Sequence, residues 1–377
     1  MLDDHTRSEI AFEGSLAARS EGRLRRSQTI RTSIYGLHQL EARLPRLEMY
    51  TVRGNHVPLS RHPAWLEVLA RSLGHQPYVV EADREGSLCG YLPLAYVRSL
   101  LFGRFLVSLP YLNYGGVFAD DEAAANLLID RAVELAAQLG VRYLELRHSG
   151  KAVEHPALNR LASVKVHMRL SLPETAEMLW EQVPSKVRNH VRQGQKAGLT
   201  VTWGREELLP AFHNVFSRNM RDLGTPTYGR SLFAEVLRRF PDHAELCVVR
   251  TRDKAVAGAL LLHGWGITEV PSASSLREYN NTNANSLMYW HLLQRAIQRG
   301  QTIFDFGRST PQSGTYVFKK QWGAKPEQAM WQYHLRTGSV DDVRPDNPKY
   351  DRMIQIWQRL PIGLTQLIGP LIVRGIP

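Results

Sequence analysis

Polar side chains of types suited to group transfer follow a short apolar segment near residue 305. Asp305 lies within the predicted strand 302–306, and Arg308 and Ser309 lie in the turn that follows. Open α/β sheets bind ligands beyond the carboxyl ends of their strands, so we expect these residues to face a substrate. A carboxylate can accept the proton of an amine, and a guanidinium can hold a phosphate or carboxylate. The structural alternatives are that Asp305 caps the turn or pairs with Arg308.

The next segment places Tyr316, Lys319 and Lys320 at helical spacing. Tyr316 could donate a proton to a leaving group, and the two lysines suit phosphate recognition. A packed tyrosine and two solvated lysines are the competing interpretations. We therefore predict Asp305 and Tyr316 as catalytic residues, and Arg308, Ser309, Lys319 and Lys320 as substrate contacts.

Three further segments carry candidate substrate contacts. These are Arg188 and Arg192, four apart in a predicted helix over 184–198; Asp222 and Tyr228 in the turn-rich segment 221–228; and Arg277, Tyr279 and Asn280 between a predicted strand and helix. The alternatives are a solvated helix face and a plain turn between helices. The histidines show no metal-binding spacing, and no serine or cysteine lies in a nucleophile motif, so we predict no metal.

The composition describes a basic globular protein. The chain has 377 residues, 43% hydrophobic residues, a formal net charge of +11 and a pI of about 9.7. The acid-free segments 184–199 and 307–326 each carry four lysines or arginines. This clustering favours a phosphate-bearing ligand, a tRNA end or an anionic membrane surface.

Segments that target a protein to export or to the membrane interior are not evident. No apolar run approaches the ~18 residues that a membrane span needs, and the polar N-terminus does not resemble a secretory signal. Cys89 and Cys247 lie in apolar, strand-like surroundings, which favours buried thiols in a reducing compartment. We predict a cytoplasmic protein whose apolar tail packs back on the body or contacts the inner membrane peripherally.

The order of predicted elements indicates two similar units. The predicted divisions are a basic, weakly ordered leader at 1–47, a first unit at 48–165, a second unit at 166–336 and a C-terminal helix with an apolar tail at 337–377. Each unit combines a mixed sheet with flanking helices, and the second has a helical insertion at 174–240. Gly140 and Glu145 repeat the spacing of Gly300 and Asp305, each pair joining a helix to a strand.

Several motifs together resemble a known family. They are the basic helix at 185–192, Arg-Asn-Met-Arg-Asp-Leu-Gly-Thr-Pro at 218–226, Ser-Ser-Leu-Arg-Glu-Tyr-Asn at 274–280, Phe-Asp-Phe-Gly-Arg-Ser-Thr at 304–310 and Tyr-Val-Phe-Lys-Lys-Gln-Trp-Gly-Ala at 316–324. The segment 47–335 resembles the FemAB-related proteins of the GNAT superfamily. Within these it is most similar to the subgroup associated with PEP-CTERM/exosortase exopolysaccharide systems of Gram-negative bacteria.

This resemblance implies a mixed α/β fold of tandem GNAT-like domains and transfer of an acyl or aminoacyl group to an amine. The donor would be acyl-CoA or aminoacyl-tRNA, and the pathway cell-envelope or exopolysaccharide biosynthesis. The segment 277–285 departs from the family pattern, because the usual pyrophosphate loop contains glycines and this segment has none. That departure argues against conventional acetyl-CoA binding.

Two other function classes compete with a transferase. The first is a non-catalytic GNAT-fold protein that binds a polysaccharide precursor or a nucleotide sugar. The second is an RNA-binding module, which the two basic segments allow. The chain lacks an aromatic stacking motif of the kind that RNA-binding sheets use, so this class is disfavoured.

Overall fold

The computed structural model describes residues 29–53, 56–148, 150, 152–338 and 351–376. Most of the predicted leader and the Gly/Asp/Pro-rich segment 339–350 therefore lie outside the described residues. The part of the leader that is described forms a strand and the start of a helix, so the predicted boundary at residue 47 falls inside a helix.

The first unit contains β1 (Ile30–Gly36), α1 (Leu37–Thr51), α2 (Trp65–Leu73), β2 (Gln76–Arg84), β3 (Ser87–Ser99), β4 (Gly103–Val107), β5 (Phe118–Ala119), α3 (Glu122–Gln138) and β6 (Tyr143–His148). Asp121 caps α3 by accepting a hydrogen bond from the amide of Ala124. Gly74 ends α2 in the left-handed conformation, which glycine adopts without strain. Local sequence thus sets the ends of these helices.

The second unit contains β7 (Asn159–Ser171), α4 (Ala176–Gln182), α5 (Ser185–Lys196), β8 (Leu199–Gly204), α6 (Leu209–Asp222), α7 (Arg230–Arg239), β9 (Ala244–Thr251), β10 (Lys254–His263), β11 (Ile267–Ser275), α8 (Ala284–Gln298), β12 (Ile303–Ser309), α9 (Gly314–Gln321) and β13 (Lys325–Leu335). Two helices follow, α10 (Asp351–Arg359) and α11 (Ile362–Val373).

The two units repeat one topology. The series β1-α1-α2-β2-β3-β4-α3-β6 has the same element order as β8-α6-α7-β9-β10-β11-α8-β12. In each series the first four strands are antiparallel, and the last two, β4 with β6 and β11 with β12, are parallel neighbours. The predicted tandem mixed fold is confirmed. Helices α6 and α7 correspond to α1 and α2, so the helical insertion consists of α4 and α5 and is shorter than predicted.

The units exchange their last strands. All the strands belong to one 13-stranded sheet, in which the order around the junction is β4-β6-β13-β7-β12-β11. Strand β7 follows β6 in sequence but pairs with β12, whereas β13 follows β12 but pairs with β6. Strands β7 and β13 also pair with each other. The junction is therefore made of main-chain hydrogen bonds, and neither unit has a complete sheet of its own.

Hydrophobic clusters cover both faces of the sheet. One core, built on α1, α2, α6 and α7, joins both units and includes Leu66, Phe212 and Leu262. On the other face, α4, α5, α8 and α9 cover the second unit and α3 covers the first. We call the face that bears Leu262 the shared-core face. Both cysteines are free and buried.

The C-terminal helices pack on the second unit. Trp357 of α10 and Thr365, Gly369 and Val373 of α11 are buried against the body. Within the described part of the chain, no helix is both long enough and apolar enough to cross a membrane. The predicted apolar tail is thus a helix that lies along the protein.

Candidate functional site

The site is built where the parallel pair β11 and β12 ends. Glu269 of β11 lies opposite Asp305 of β12, and the ladder between the two strands stops at this pair. Glu269 also pairs with Leu262 in β10, so both carboxylates lie on the shared-core face. They are 3% and 0% exposed. Burying two adjacent carboxyl groups is costly unless each is paired or protonated, so the surroundings of each must compensate.

Three donors bind the Asp305 carboxylate. The Tyr114 hydroxyl donates to Oδ2, the Arg169 Nε donates to Oδ2 over 3.1 Å, and the Gly307 amide donates to Oδ1 over 2.7 Å. Arg169 also pairs with Glu327 at 3.1 Å. Burial, with the adjacent Asp305 charge, raises the pKa of Tyr114 well above its ordinary range. The oxygens of Asp305 are thus engaged within the protein, and Tyr114 stays a neutral donor.

Glu269 is in a different environment. The amide and hydroxyl of Ser60 donate to its two oxygens over 2.8 and 2.6 Å. Burial, and secondarily the charge of Asp305, raises the pKa of Glu269 to about 7. Two neighbouring carboxyl groups therefore differ, since Asp305 has a cationic partner and Glu269 titrates near neutrality. Such a difference is typical of sites that move protons.

Buried polar atoms without a protein partner lie beside this pair. His167 is 3% exposed, its ring stacks on Tyr114 with 4.4 Å between centroids, and neither ring nitrogen has a hydrogen bond within the described residues. The buried Ser309 hydroxyl is likewise unpaired there. Burial lowers the pKa of His167 to about 4, so the ring is neutral at physiological pH. Such atoms are rare in folded proteins and are available to a bound molecule.

Two arginines extend the polar region toward the first unit. Both Arg147 and Arg308 hold their guanidinium carbons 4.3 Å from the centroid of the Trp331 ring. Arg147 pairs with Glu145 at 2.5 Å, and the Arg308 Nε donates to the Asn113 Oδ1 over 2.9 Å. Burial, with the charge of Arg147, lowers the pKa of Arg308 to about 10. We call Tyr114, Arg147, His167, Arg169, Glu269, Asp305 and Arg308 together the polar seam.

Lys319 reaches the seam from α9. It is 7% exposed, and its Nζ donates to the carbonyls of Gly307 and Arg308 over 3.2 and 2.9 Å. Burial lowers the pKa of Lys319 to about 8, although the negative charge of Asp305 acts to raise it. Of the predicted site residues, Asp305, Arg308, Ser309 and Lys319 are thus brought together around the end of β12.

A cleft of about 420 Å³ opens next to the seam, and Arg169, Leu179, Trp322, Lys325 and Glu327 are among its lining residues. Arg169 therefore belongs both to the cleft and to the hydrogen-bonded group around Asp305. This arrangement gives a polar ligand a route to a charged side chain that contacts the buried carboxylate.

Four other predicted site residues lie away from the polar seam. Tyr316 and Lys320 line a shallow surface groove with Gln312, Val317 and Gln321. Arg192 lies 5.5 Å over the Trp180 ring and contacts Asn189. Arg188 lies on the same helix, α5, which packs on the face opposite the shared core through Val187 and Val191. The structure therefore does not bring these four residues to the polar seam.

The loop residues divide into two groups. Tyr228 packs edge-on against Tyr111, and burial raises its pKa although the charges of Arg147 and Arg308 act in the opposite direction. Asp222 instead pairs with Arg221 at 2.7 Å. Arg277 and Asn280 are exposed in a short turn before α8, and Tyr279 lies under the Lys254 ammonium at 4.9 Å.

The N-terminus of α8 differs from a glycine-rich phosphate cradle. Asn283 precedes the helix in the left-handed conformation, with φ of 57°, and its side-chain amide donates to Gln193 of α5 over 2.8 Å. A Cβ on Gly194 would lie 2.9 Å from the Leu287 Cβ, so α5 sits directly on the start of α8. Helix α5 of the insertion therefore packs against the N-terminus of α8.

Comparison with known proteins agrees with this architecture. Residues 183–320 match the family model of an acetyltransferase (GNAT) domain. The match covers 138 of the 377 residues. Comparison with curated proteins gave no match.

Solved structures extend the similarity to the whole fold. A crystal structure of FemX is 16% identical, with a TM-score of 0.59, and the match covers 85% of this chain and all of FemX. A tandem GNAT protein from the clavulanic acid biosynthesis pathway is 10% identical, with a TM-score of 0.51 over 82% of this chain and all of that one. The C-terminal domain of a putative lysylphosphatidylglycerol synthetase from Agrobacterium fabrum is 13% identical, with a TM-score of 0.51 over 79% and 93%. At these identities the likeness concerns the fold.

Several residues of the seam were not predicted from the sequence. Glu269 is the one charged residue of β11, and that pattern is a usable signal for a buried functional charge, whereas Arg169 shares β7 with Arg160 and Lys165 and does not stand out. Tyr114 and His167 carry no such local signal. They reach the seam through contacts between residues far apart in the chain, such as Tyr114 with Asp305.

Proposed function

We propose that the chain is a FemAB-like N-acyltransferase that moves an acyl or aminoacyl group to an amine in cell-envelope or exopolysaccharide biosynthesis. The GNAT domain and the tandem fold support acyl transfer. The FemX likeness and the sequence motifs favour the FemAB-like form, and the motifs alone favour the PEP-CTERM/exosortase context.

One observation carries the proposal: the buried carboxyl of Glu269, whose pKa burial raises to about 7, lies opposite the Asp305 carboxylate. An amine must lose a proton as its nitrogen attacks the acyl carbon, and a base is most effective when its pKa is near the working pH. Glu269 meets that requirement. Asp305 then holds Tyr114 and Arg169 in place rather than accepting the proton itself.

The remaining steps need an anion site and a proton donor. The tetrahedral oxyanion and any phosphate of the donor are stabilised by fixed donors and cations, for which Arg308 and Lys319 are the candidates. The leaving sulfur of acyl-CoA, or the leaving ribose oxygen of aminoacyl-tRNA, takes up a proton. Tyr316 is the predicted donor for that step, although it borders a separate groove.

The test measures transfer of radiolabel from acetyl-CoA or from alanyl-tRNA to amino sugars and lysine peptides. The wild-type chain is expected to use one of the two donors, with a rate that rises with pH around a midpoint near 7. Glu269→Gln should lower the rate by about 10²-fold or more, the size of a lost general base. Glu278→Gln, at an exposed ion pair with Lys254, is the matched control and should keep the rate.

A non-catalytic binding protein is the second candidate, favoured by the glycine-free start of α8 and by the full set of donors on Asp305. Such a protein would bind a nucleotide sugar, measured by calorimetry, without transferring label from either donor. Transfer that Glu269→Gln leaves unchanged would instead reject Glu269 as the base.

A further inference from the structure

Five exposed leucines are grouped on one C-terminal helix and in one hairpin turn. On α11, Leu364, Leu367 and Leu371 are 41%, 72% and 61% exposed. In the turn between β3 and β4, Leu100 and Leu101 are 107% and 73% exposed. Single exposed leucines are common on proteins, but a contiguous group of them marks an interaction surface.

The orientation of α11 is fixed by its opposite face. Thr365, Gly369 and Val373, spaced four apart, are buried. Gly369 lies against Thr227 with only 3.0 Å left for a Cβ, so the helix cannot rotate without a clash. The Gln366 amide donates to the Ser217 hydroxyl over 2.8 Å. The leucines at 364, 367 and 371 therefore point outward because the body holds the helix that way.

The helix and the turn form one surface. Gly375, just after α11, packs so closely on Ser99 that a Cβ has no room there. The Tyr111 hydroxyl donates to the Arg374 carbonyl over 2.6 Å. Since Ser99 precedes Leu100 and Leu101, the end of α11 lies beside the leucine turn. We call this combined surface of α11 and the turn the leucine ridge.

The surroundings of the ridge are basic. The sequence contains no acidic residue from 352 to 377 or from 98 to 119. These two segments carry five exposed arginines, namely Arg98, Arg104, Arg352, Arg359 and Arg374. An apolar ridge with a cationic margin complements a bilayer, in which acyl chains lie beneath anionic headgroups.

We propose that the leucine ridge is a peripheral membrane-binding surface, with α11 lying in the plane of a bilayer rich in anionic lipid. A helix of 12 residues is ~18 Å long, which is short of the ~30 Å of a hydrocarbon core, so α11 lies on the membrane. A twofold contact with a second copy would place the same arginines against each other, which disfavours that occupant. This surface is independent of the polar seam and of the proposed reaction.

Vesicle flotation with the full chain tests the proposal. The probes are vesicles of phosphatidylcholine alone and of phosphatidylcholine with 30 mol% phosphatidylglycerol. Wild type is expected to float with the anionic vesicles, to bind neutral ones weakly and to release with added salt. Leu367→Gln/Leu371→Gln should weaken binding to anionic vesicles by about tenfold or more. Arg359→Gln/Arg374→Gln should weaken it by about tenfold.

The control pair is Met49→Gln/Met178→Gln, two exposed apolar residues outside the ridge. It should bind as wild type does, and all variants should keep the wild-type circular dichroism and melting temperature because every changed side chain is exposed. Equal binding by the leucine and methionine variants would overturn the proposal, as would failure of wild type to bind anionic vesicles. A concentration-dependent dimer that only the leucine variant abolishes would assign the ridge to a second copy.

Discussion

At the scale of residues, the polar seam places two adjacent carboxyl groups in different environments. Asp305 is stabilised as an anion by Arg169, Tyr114 and the Gly307 amide. Among the described residues, Ser60 alone donates hydrogen bonds to Glu269, and burial raises the pKa of Glu269 to about 7. Burial, rather than the residue type, brings the pKa of Glu269 close to neutrality.

The raised pKa of Glu269 predicts a pH-dependent stability. The folded pKa of about 7 lies above the ordinary 4.5, so the native state binds this proton more tightly than the unfolded chain does. The resulting stabilisation is complete below pH 4.5 and is lost as the pH rises through 7. Between pH 4.5 and pH 8, wild type should lose about 3 kcal/mol of unfolding free energy relative to Glu269→Gln. Urea unfolding at both pH values measures this, and a constant difference would contradict it.

Removing the charge of Asp305 should expose the role of its partners. Asp305→Asn leaves Arg169 with Glu327 alone and turns one acceptor into an amide, so we expect a loss of about 2–4 kcal/mol. Tyr114→Phe removes a single donor and should cost about 1–3 kcal/mol. Chemical denaturation gives both values. An Asp305→Asn loss no larger than that of Tyr114→Phe would show that the Arg169 pair adds nothing.

The sequence predicted the part of the site at the end of β12, but not the residues that the first unit contributes to it. Asp305, Arg308 and Lys319 lie within one continuous segment, so local spacing was sufficient to group them. Tyr114 and Ser60 come from loops of the first unit, and only the tertiary fold brings them to the second. Contacts between residues so far apart leave no local pattern in a single sequence.

At the scale of elements, the insertion of α4 and α5 presses on the start of α8. Gly194 is the contact point, with the Leu287 Cβ 2.9 Å and the Asn283 carbonyl 3.3 Å from a Cβ placed on it. The predicted helix over 184–198 is present as α5, and its buried face bears Val187 and Val191. Its partner could not be predicted, because a helical period identifies a buried face but not what covers it.

Substituting Gly194 should distinguish the effect of packing on stability from the effect of helix propensity. Gly194→Ala should destabilise the protein by about 1–3 kcal/mol, because the added methyl overpacks the α5–α8 contact. The matched control is Gly363→Ala in α11, where nothing lies within 4 Å of the added Cβ. The control should be neutral or stabilising by up to about 1 kcal/mol. Equal effects in thermal unfolding would mean that α5 adjusts freely.

Strand β13 shows where periodicity fails. β13 begins Lys-Pro-Glu-Gln and has four exposed residues at its start, so it does not read as a central strand. It is central because β6 and β7 flank it on both sides. The duplicated units were predictable from the order of elements, whereas the exchange of their final strands was not.

At the scale of the whole molecule, the exchanged strands make the units interdependent. A fragment 1–155 lacks β13 and so leaves the β6 edge unpaired, and it loses half of the shared core. We expect this fragment to lack a cooperative thermal transition when expressed alone. Coexpression with 156–377 should restore a complex with a single transition near that of the intact chain. Cooperative unfolding of isolated 1–155 would show that β13 is dispensable for the first unit.

The exchange of final strands also delays completion of the sheet during synthesis. The edge of β6 emerges from the ribosome about 190 residues before its neighbour β13 is complete, which at roughly 5–20 residues per second is ~10–40 s. During that interval the nascent first unit presents an open β-edge to solvent, and strands of other chains can pair with it. Yield on overexpression should therefore depend on translation speed and on chaperones that shield such edges.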